Sequence, residues 1–396
     1  MLGSDIPYLD LADPGFSTRG PEVRAARAAH WYARTPYGIA VLRHAEAGRL
    51  LRDRRLRQGS YAWPDFLGLE GVFADFWKRS LIGQEGAAHK ALRGVAQPAL
   101  SPAFIESLEP AFKKAAHRLC EELRAAGHCE FLSSFAEPYA GHAVCILLNL
   151  DWDRWEELAR DASALGLAMG VDGKQHEATF NTACQRLMEL AADLIAKARA
   201  GEDRQSYVAR LVQGADQVAG IDDQDLLDLV VISIFGAVDT TRAQLGLAMA
   251  LFAEHPDQWA RLRDDPGLIP AAVEEAIRER PTTTWATRET LEDIEVNEEV
   301  IPKGTIVHML VHASARDPAV CDTLAFDITA RRRSHFGFGG GAHHCLGQLV
   351  ARTDIAIALR ALAETLVSFE VDGETEWLPE SGNTGPVSLP LSYRMT

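Results

Sequence analysis

Apolar residues recur at three- and four-residue spacing through most of the chain between about residues 103 and 262, the mark of helices that bury one face. The stretch PAFIESLEPAFKKAAHRLCEELRAAG keeps this period and stops at Gly127, and ATFNTACQRLMELAADLIAKARAG keeps it as far as Gly201. A glycine just past the last periodic residue ends a helix because it takes a left-handed backbone without a Cβ penalty. The longest candidate helix is IDDQDLLDLVVISIFGAVDTTRAQLGLAMALFAEHP. Asp222 or Asp223 can cap its start, and Pro256 closes it. Its middle is apolar nearly all round, which predicts a helix crossing the core.

Outside this region the period shortens. YGIAVLR (37–43) reads as a strand and HAEAGRLLRD (44–53) as a helix. Residues 57–80 hold Tyr61, Trp63, Phe66, Phe73, Phe76 and Trp77 among glycines and prolines, and read as an aromatic loop region. After Pro281, LEDIEVNEEVIPKGTIVHML reads as short strands with a PKG turn. SHFGFGGGAHHC follows as a loop, LGQLVARTDIAIALRALAET as a helix, and GNTGPVSLPLSY as a strand-like tail. The expectation is a mainly α fold with small β-sheets. No repeat, low-complexity tract or Gly/Ser linker divides residues 1–396, so a single domain is expected.

Composition narrows the function. Lys and Arg number 40, Asp and Glu 56, for a formal net charge of −16. Such a balance argues against broad nucleic-acid or anionic-membrane binding. The start, MLGSDIPYLDLADPGF, has no basic segment followed by an apolar core, and no apolar run reaches the ~20 residues of a membrane span. A cytoplasmic chain is expected. The six cysteines form no CxxC pair and no disulfide framework, so most are expected to be small core residues.

Cys345 has different surroundings. Gly337, Gly339, Gly340 and Gly341 precede it, and glycines permit positive φ and close backbone approach. A predicted helix follows, whose amide end favours a thiolate over a thiol. A charged sulfur held against a flat object fits this arrangement; a buried thiol in a glycine-rich loop fits it as well. A phosphate loop does not, because there is no GK[ST] and no strand with GxGxxG. Zinc would need three or four converging ligands, and the adjacent His343, His344 and Cys345 rarely converge. His308 and His312 have metal-like spacing but lie in a strand-like stretch.

FGGGAHHCLG (338–347) resembles the haem-binding signature F-G-x-G-x-H-x-C-x-G of the cytochrome P450 family, soluble bacterial type. The resemblance implies that fold, with its long central helix over haem b (iron protoporphyrin IX) and Cys345 as the proximal iron ligand. It implies Phe338 beside the sulfur, Gly339 and Gly347 as backbone that approaches the haem closely, and His343 as a propionate partner. Other segments agree, in the family's order. Glu275-Ala-Ile-Arg278 resembles E-x-x-R, a structural ion pair whose members share a helix face. His89-Lys-Ala-Leu-Arg93 resembles H-x-x-x-R, which with Arg288 adds three more propionate partners. Gly236-Ala-Val-Asp239-Thr240-Thr241 resembles [AG]-G-x-[DE]-T-T. There the resemblance implies a widened turn for dioxygen, with Thr240 hydrogen-bonding the distal oxygen or a water and Asp239 feeding protons. The residues alone also allow a threonine bonded to its own helix and a buried, paired aspartate.

Two departures stand out. The family's F-D-x-x-R is Phe326-Asp-Ile-Thr-Ala330 here, with Arg331 one place late, and Pro281 follows Arg278 one residue sooner than usual. Arg242, unusual inside the central helix, is expected in a buried or interdomain ion pair facing away from Thr240. The resemblance implies a monooxygenase that hydroxylates, O-dealkylates or epoxidises a small hydrophobic substrate with O2. Length and cysteine count lead to the expectation of no fused flavin or iron–sulfur domain, so a ferredoxin and its NAD(P)H-dependent reductase are the expected partners. Arg331, Arg332, Arg333 and Lys90 are the candidate face for an acidic ferredoxin. Candidate substrate-lining residues are the aromatics of 61–77, Ile232, Phe235, Gly236, Thr284, Trp285, Pro386 and Val387. The rival readings are a haem enzyme performing ring coupling or peroxide-driven oxidation, and a haem-binding sensor.

Overall fold

A computed structural model describes residues 6–170, 172–321, 323–332, 334–380 and 382–396. Arg333, one of the expected basic residues, lies outside the described residues. The chain divides into two compact units: Met1–Gly59, Ala243–Cys345 and Val367–Arg394 in one, Ser60–Arg242, Leu346–Leu366 and Met395–Thr396 in the other.

The second unit is helical. Its helices include Gly86–Ala99, Pro102–Glu122, Glu137–Leu148, Trp155–Gly166, Glu177–Ala200, Tyr207–Ala215 and Gln348–Thr365, together with the first twenty residues of the 32-residue helix Asp223–Glu254. Gly201, at φ +76°, caps Glu177–Ala200 as expected, whereas Pro102–Glu122 gives way to a 3-10 turn, Leu123–Ala125, ahead of Gly127 at φ +70°. Asp222 caps the long helix reciprocally. Its carboxylate accepts from the Asp225 amide at 2.9 Å, while Asp225 accepts from the Asp222 amide at 3.0 Å. That exchange satisfies two amides left without partners at a helix start. Leu226, Val230, Val231, Ile234 and Val238 of the same helix are buried in this unit's core.

Residues 57–80 correct the loop expectation. Trp63–Leu67 and Val72–Arg79 are helices. Pro64 is tolerated in the first turn, where its missing N–H costs no intrahelical bond. Gly68, at φ +62°, ends the first helix, and Gly71, at φ +87°, precedes the second. Phe73, Phe76 and Trp77 are core residues, whereas Phe66 is exposed. Burying each of those three contributes on the order of 2–3 kcal/mol.

The first unit is built on a five-stranded sheet. Its strand order is Tyr32–Thr35, Gly38–Val41, Ile306–Leu310, Trp285–Thr290, Leu56–Gln58. The pairing of Gly38–Val41 with Ile306–Leu310 is parallel, with Ile39 opposite Val307; the other three pairs are antiparallel. Ile294–Val296 and Glu299–Ile301 form a separate ribbon. His308 lies in the strand Ile306–Leu310, but His312 lies in the short helix Val311–Ala315, so the strand expectation fails for it. Helix Ile269–Glu279 carries Glu275 and Arg278 in this unit.

Candidate active site

Cys345 is the only exposed cysteine of the six; Cys120, Cys145, Cys184 and Cys321 are buried and Cys129 is half-buried. Burial pushes the thiols of Cys120, Cys145 and Cys184 up to about 12, so all three stay protonated and unreactive at neutral pH. Cys345 stands three residues ahead of the helix Gln348–Thr365. Its amide donates to Phe338 O at 2.8 Å, and the Gly339 amide donates to Phe336 O at 2.8 Å. These bonds fold residues 336–345 back on themselves. Gly341, at φ +69°, is pressed against the chain: a Cβ there would lie 2.0 Å from Leu51 O. No side chain can occupy that position without moving backbone, so glycine is required.

Arg288 ties the sheet to this loop. It is buried on the strand Trp285–Thr290 and donates to Gly340 O at 3.2 Å, Gln58 Oε1 at 3.2 Å and Thr287 O at 2.9 Å. His343 closes a short 3-10 turn, Gly341–His343, and is half-buried. Phe338 is half-buried, with its ring 6.2 Å from that of His335. Within this unit Phe338, Gly339, His343 and Cys345 therefore lie on one tightly held segment, to which Arg288 is bonded through Gly340 O.

Glu275 and Arg278 form a bidentate pair at 2.6 and 2.8 Å, with side chains 3 % and 2 % exposed. Arg332 joins them, 3.1 Å from Glu275 Oε1 and 3.3 Å from Oε2, and the Asp327 amide donates to Oε1 at 3.2 Å. This overturns part of the basic-face expectation. The Arg332 side chain is 12 % exposed and spent on Glu275, because an unpaired buried carboxylate is costly and a second guanidinium offsets it. Arg331 remains exposed. Glu279 extends the network to Arg278, Arg316 and His312. Burial pushes its carboxyl up, but His312, Arg316 and Arg278 outweigh it and bring it to about 2.

In the helical unit, His89 and Arg93 stand one turn apart on Gly86–Ala99, His89 buried and Arg93 half-buried with Nε 3.2 Å from Gln97 Oε1. Lys90 between them is exposed. The long helix is regular α-helix from Asp223 to Glu254, so the widened turn expected near Gly236 is absent. Thr240 Oγ1 donates to Gly236 O at 2.6 Å, which satisfies that carbonyl from within the helix and leaves the ladder intact. Gly236 is nonetheless exposed in mid-helix, and a Cβ there would meet nothing within 4 Å. Asp239 Oδ1 accepts from Arg242 Nη2 at 2.9 Å. Arg242 is thus in an ion pair as expected, but its partner is the candidate proton carrier.

The candidate substrate residues separate in the same way. Ile232 is buried, Phe235 is half-buried with its ring 6.3 Å from Trp77, and Gly236 is open, all in the helical unit. In the sheet unit the Thr284 hydroxyl is committed to Gly382 O at 2.8 Å, Trp285 is half-buried, Pro386 is buried and Val387 is 42 % exposed. Sequence reasoning missed the Arg332–Glu275 contact, which spans 57 residues and has no periodic signal. It also missed Arg242–Asp239, for which the three-residue helical spacing was a readable clue.

The residues fit a haem. A single exposed thiol sits on a loop whose Gly341 lies too close to Leu51 O to carry a side chain, with the cationic or polar groups of Arg288 and His343 in the same unit. Taken by itself, the helical unit carries His89 and Arg93, half-buried apolar Leu346, Leu349 and Val350, and an exposed mid-helix Gly236. Among the described residues no group of three or more His, Cys, Asp or Glu is arranged to hold a metal ion, and no helix is long and apolar enough to cross a membrane.

Comparison with known proteins agrees. The Cytochrome P450 family model matches residues 267–395. The chain is 38 % identical over 398 residues to luteothin monooxygenase of Streptomyces thioluteus, covering 98 % of this chain and 97 % of that protein. It is 27 % identical to mycinamicin IV hydroxylase/epoxidase of Micromonospora griseorubida, over 91 % of each chain. The crystal structure of CalO2 superposes with a TM-score of 0.86 at 26 % identity, covering 96 % of this chain and 98 % of that one. The loop that presents Cys345, the buried Glu275–Arg278 pair and a 38 % identical monooxygenase matched from end to end lead to one conclusion: this chain belongs to the cytochrome P450 family and is a haem-dependent monooxygenase.

Proposed function

We propose that this P450 inserts oxygen into a small, largely apolar natural product of the luteothin kind, by hydroxylation, epoxidation or O-dealkylation. The observation that carries the haem assignment is Cys345, the one exposed thiol, on a loop locked by Leu51 and Arg288. The substrate class is supported by the 38 % identity to luteothin monooxygenase. Residues 1–396 act as a single catalytic domain, a reading supported by that end-to-end match.

Cys345 supplies the thiolate ligand, with Phe338 beside the sulfur and Gly339 and Gly347 as the backbone that approaches the group. Arg288, His343, His89 and Arg93 bind its propionates, guanidinium–carboxylate pairing being the strong, charge-assisted kind. Haem b bound through a thiolate supplies oxygen activation, because thiolate donation favours O–O cleavage. Asp239 takes up protons and passes them toward Thr240, whose hydroxyl oxygen orders the receiving water. Ile232, Phe235, Gly236, Thr284, Trp285, Pro386 and Val387 shape the substrate site. Electrons arrive from a ferredoxin reduced by an NAD(P)H-dependent reductase in the cytoplasm, with exposed Arg331 and Lys90 available to an acidic partner.

A ligand screen read by the spin-state change of the haem tests the substrate assignment. Luteothin is expected to give a saturable shift. Shifts with long-chain fatty acids alone would contradict the substrate class. Thr240→Ala is expected to lower product formed per NADPH several-fold, and fully coupled turnover would remove Thr240 from proton delivery.

A further inference from the structure

We propose that Arg242 is a positioning residue for proton delivery: it anchors Asp239 Oδ1, so that Oδ2 alone takes up and hands on the proton. The proposal rests on the reading of Asp239 as proton carrier. Arg242 lies in a helix whose buried residues are mostly apolar, among them Val230, Val231, Ile234 and Val238, with Asp228, Thr241 and Gln244 the buried polar ones. A guanidinium in such surroundings needs a partner, and the one it finds is Asp239, three residues earlier on the same helix, at 2.9 Å. The Arg242 side chain is 17 % exposed and that of Asp239 28 %. Arg242 Nε is buried and makes no hydrogen bond among the described residues. The stem is therefore enclosed, and the planar guanidinium is a fixed donor rather than a swinging one.

This fixes the chemistry of the carboxylate. Oδ1 is engaged by Arg242, whereas Oδ2 accepts no hydrogen bond among the described residues. Thr240, the next residue, already donates its hydroxyl hydrogen to Gly236 O at 2.6 Å, so its oxygen is left as an acceptor. A proton taken by Oδ2 from a solvent water can then leave Oδ2 for a water accepted by Thr240. One proton enters and one departs, and the carboxylate is restored. Without Arg242 the carboxylate can rotate, both oxygens compete for the incoming proton, and the route toward Thr240 is lost part of the time.

The test uses holoenzyme with NADPH, a plant-type ferredoxin and its reductase, and no organic substrate, and measures hydrogen peroxide released per NADPH consumed. Slow proton delivery releases peroxide in place of water. Arg242→Met, which keeps the stem and removes every donor, is expected to raise that ratio at least twofold, as is Asp239→Asn. Arg242→Lys is expected to return it most of the way to wild type, with an unchanged thermal midpoint. A second readout needs no turnover: a double-mutant cycle of Asp239→Asn and Arg242→Met in urea unfolding is expected to be non-additive. A wild-type peroxide ratio in Arg242→Met beside a raised ratio in Asp239→Asn would overturn the positioning role alone. Unchanged ratios in both would remove Asp239 as carrier and the proposal with it. Additive effects, on peroxide or on unfolding, would mean that the two residues act independently and would also overturn it.

Discussion

Replacing Glu275 by glutamine removes one charge from a cluster in which two guanidiniums depend on it. Arg278 donates to both carboxylate oxygens and is 2 % exposed; Arg332 reaches the same two oxygens and is 12 % exposed. Glutamine preserves the shape and one acceptor, but Arg278 is then left buried with only Glu279 as a counter-charge, at 2.9 Å. Removing one partner of a buried pair costs about 3–5 kcal/mol. A unit-charge interaction at ~4 Å and an effective dielectric near 20 gives about 4 kcal/mol, the same scale. Because Glu279 persists, the lower end, ~3 kcal/mol, is expected. Against total stabilities of about 5–15 kcal/mol this is a severe loss. Urea unfolding of the purified holoprotein measures it. Arg332→Ala, which leaves the Glu275–Arg278 pair intact and removes a less buried donor, should cost about 1–2 kcal/mol. A loss below about 1 kcal/mol for Glu275→Gln, or an equal loss for the two variants, would refute the view of Glu275 as the hub.

Two further expectations follow from single buried groups. Asp354, on the helix Gln348–Thr365, is fully buried with Oδ1 unpartnered among the described residues, and burial raises its carboxyl well above the usual range. The folded state then holds a proton that the unfolded chain releases above about pH 4, so stability falls as pH rises from there, by up to ~1.4 kcal/mol per pH unit until the folded-state pKa is passed. Asp354→Asn should abolish that slope, and urea midpoints that fall in parallel for variant and wild type between pH 4.5 and 8 would count against it. Gly341→Ala should leave protein that retains little haem, because its Cβ would collide with Leu51 O at a positive φ. Gly94→Ala, on an open helix surface, serves as the control and should stabilise by roughly 0.5–1 kcal/mol; equal haem content in the two variants would contradict the role given to the loop.

The parts of this protein that could be read from its sequence are those in which neighbours along the chain decide the structure. The helix Asp223–Glu254 announced itself by its apolar run and by Asp222, and the cap forms between residues three apart. Glu275 and Arg278 share a helix face by the same arithmetic. In residues 57–80 glycine and proline suggest a loop by composition, whereas Pro64 starts a helix and Gly68 and Gly71 punctuate two short ones. Nothing local distinguishes Arg332 from the exposed Arg331; only the fold brings Glu275 to it. Thr240 shows a further limit. The motif implied a widened turn, but hydroxyl back-bonding to Gly236 lets the helix run through unbroken.

The central claim is that Cys345 holds the haem iron through its thiolate, and the carbon monoxide difference spectrum of the reduced protein tests it most directly. The wild-type holoprotein should give the thiolate-type band, and Cys345→Ala should lose it while Cys321→Ala keeps it. Retention of the band in Cys345→Ala would contradict the assignment and, with it, the reading of the glycine-rich loop as the seat of the chemistry.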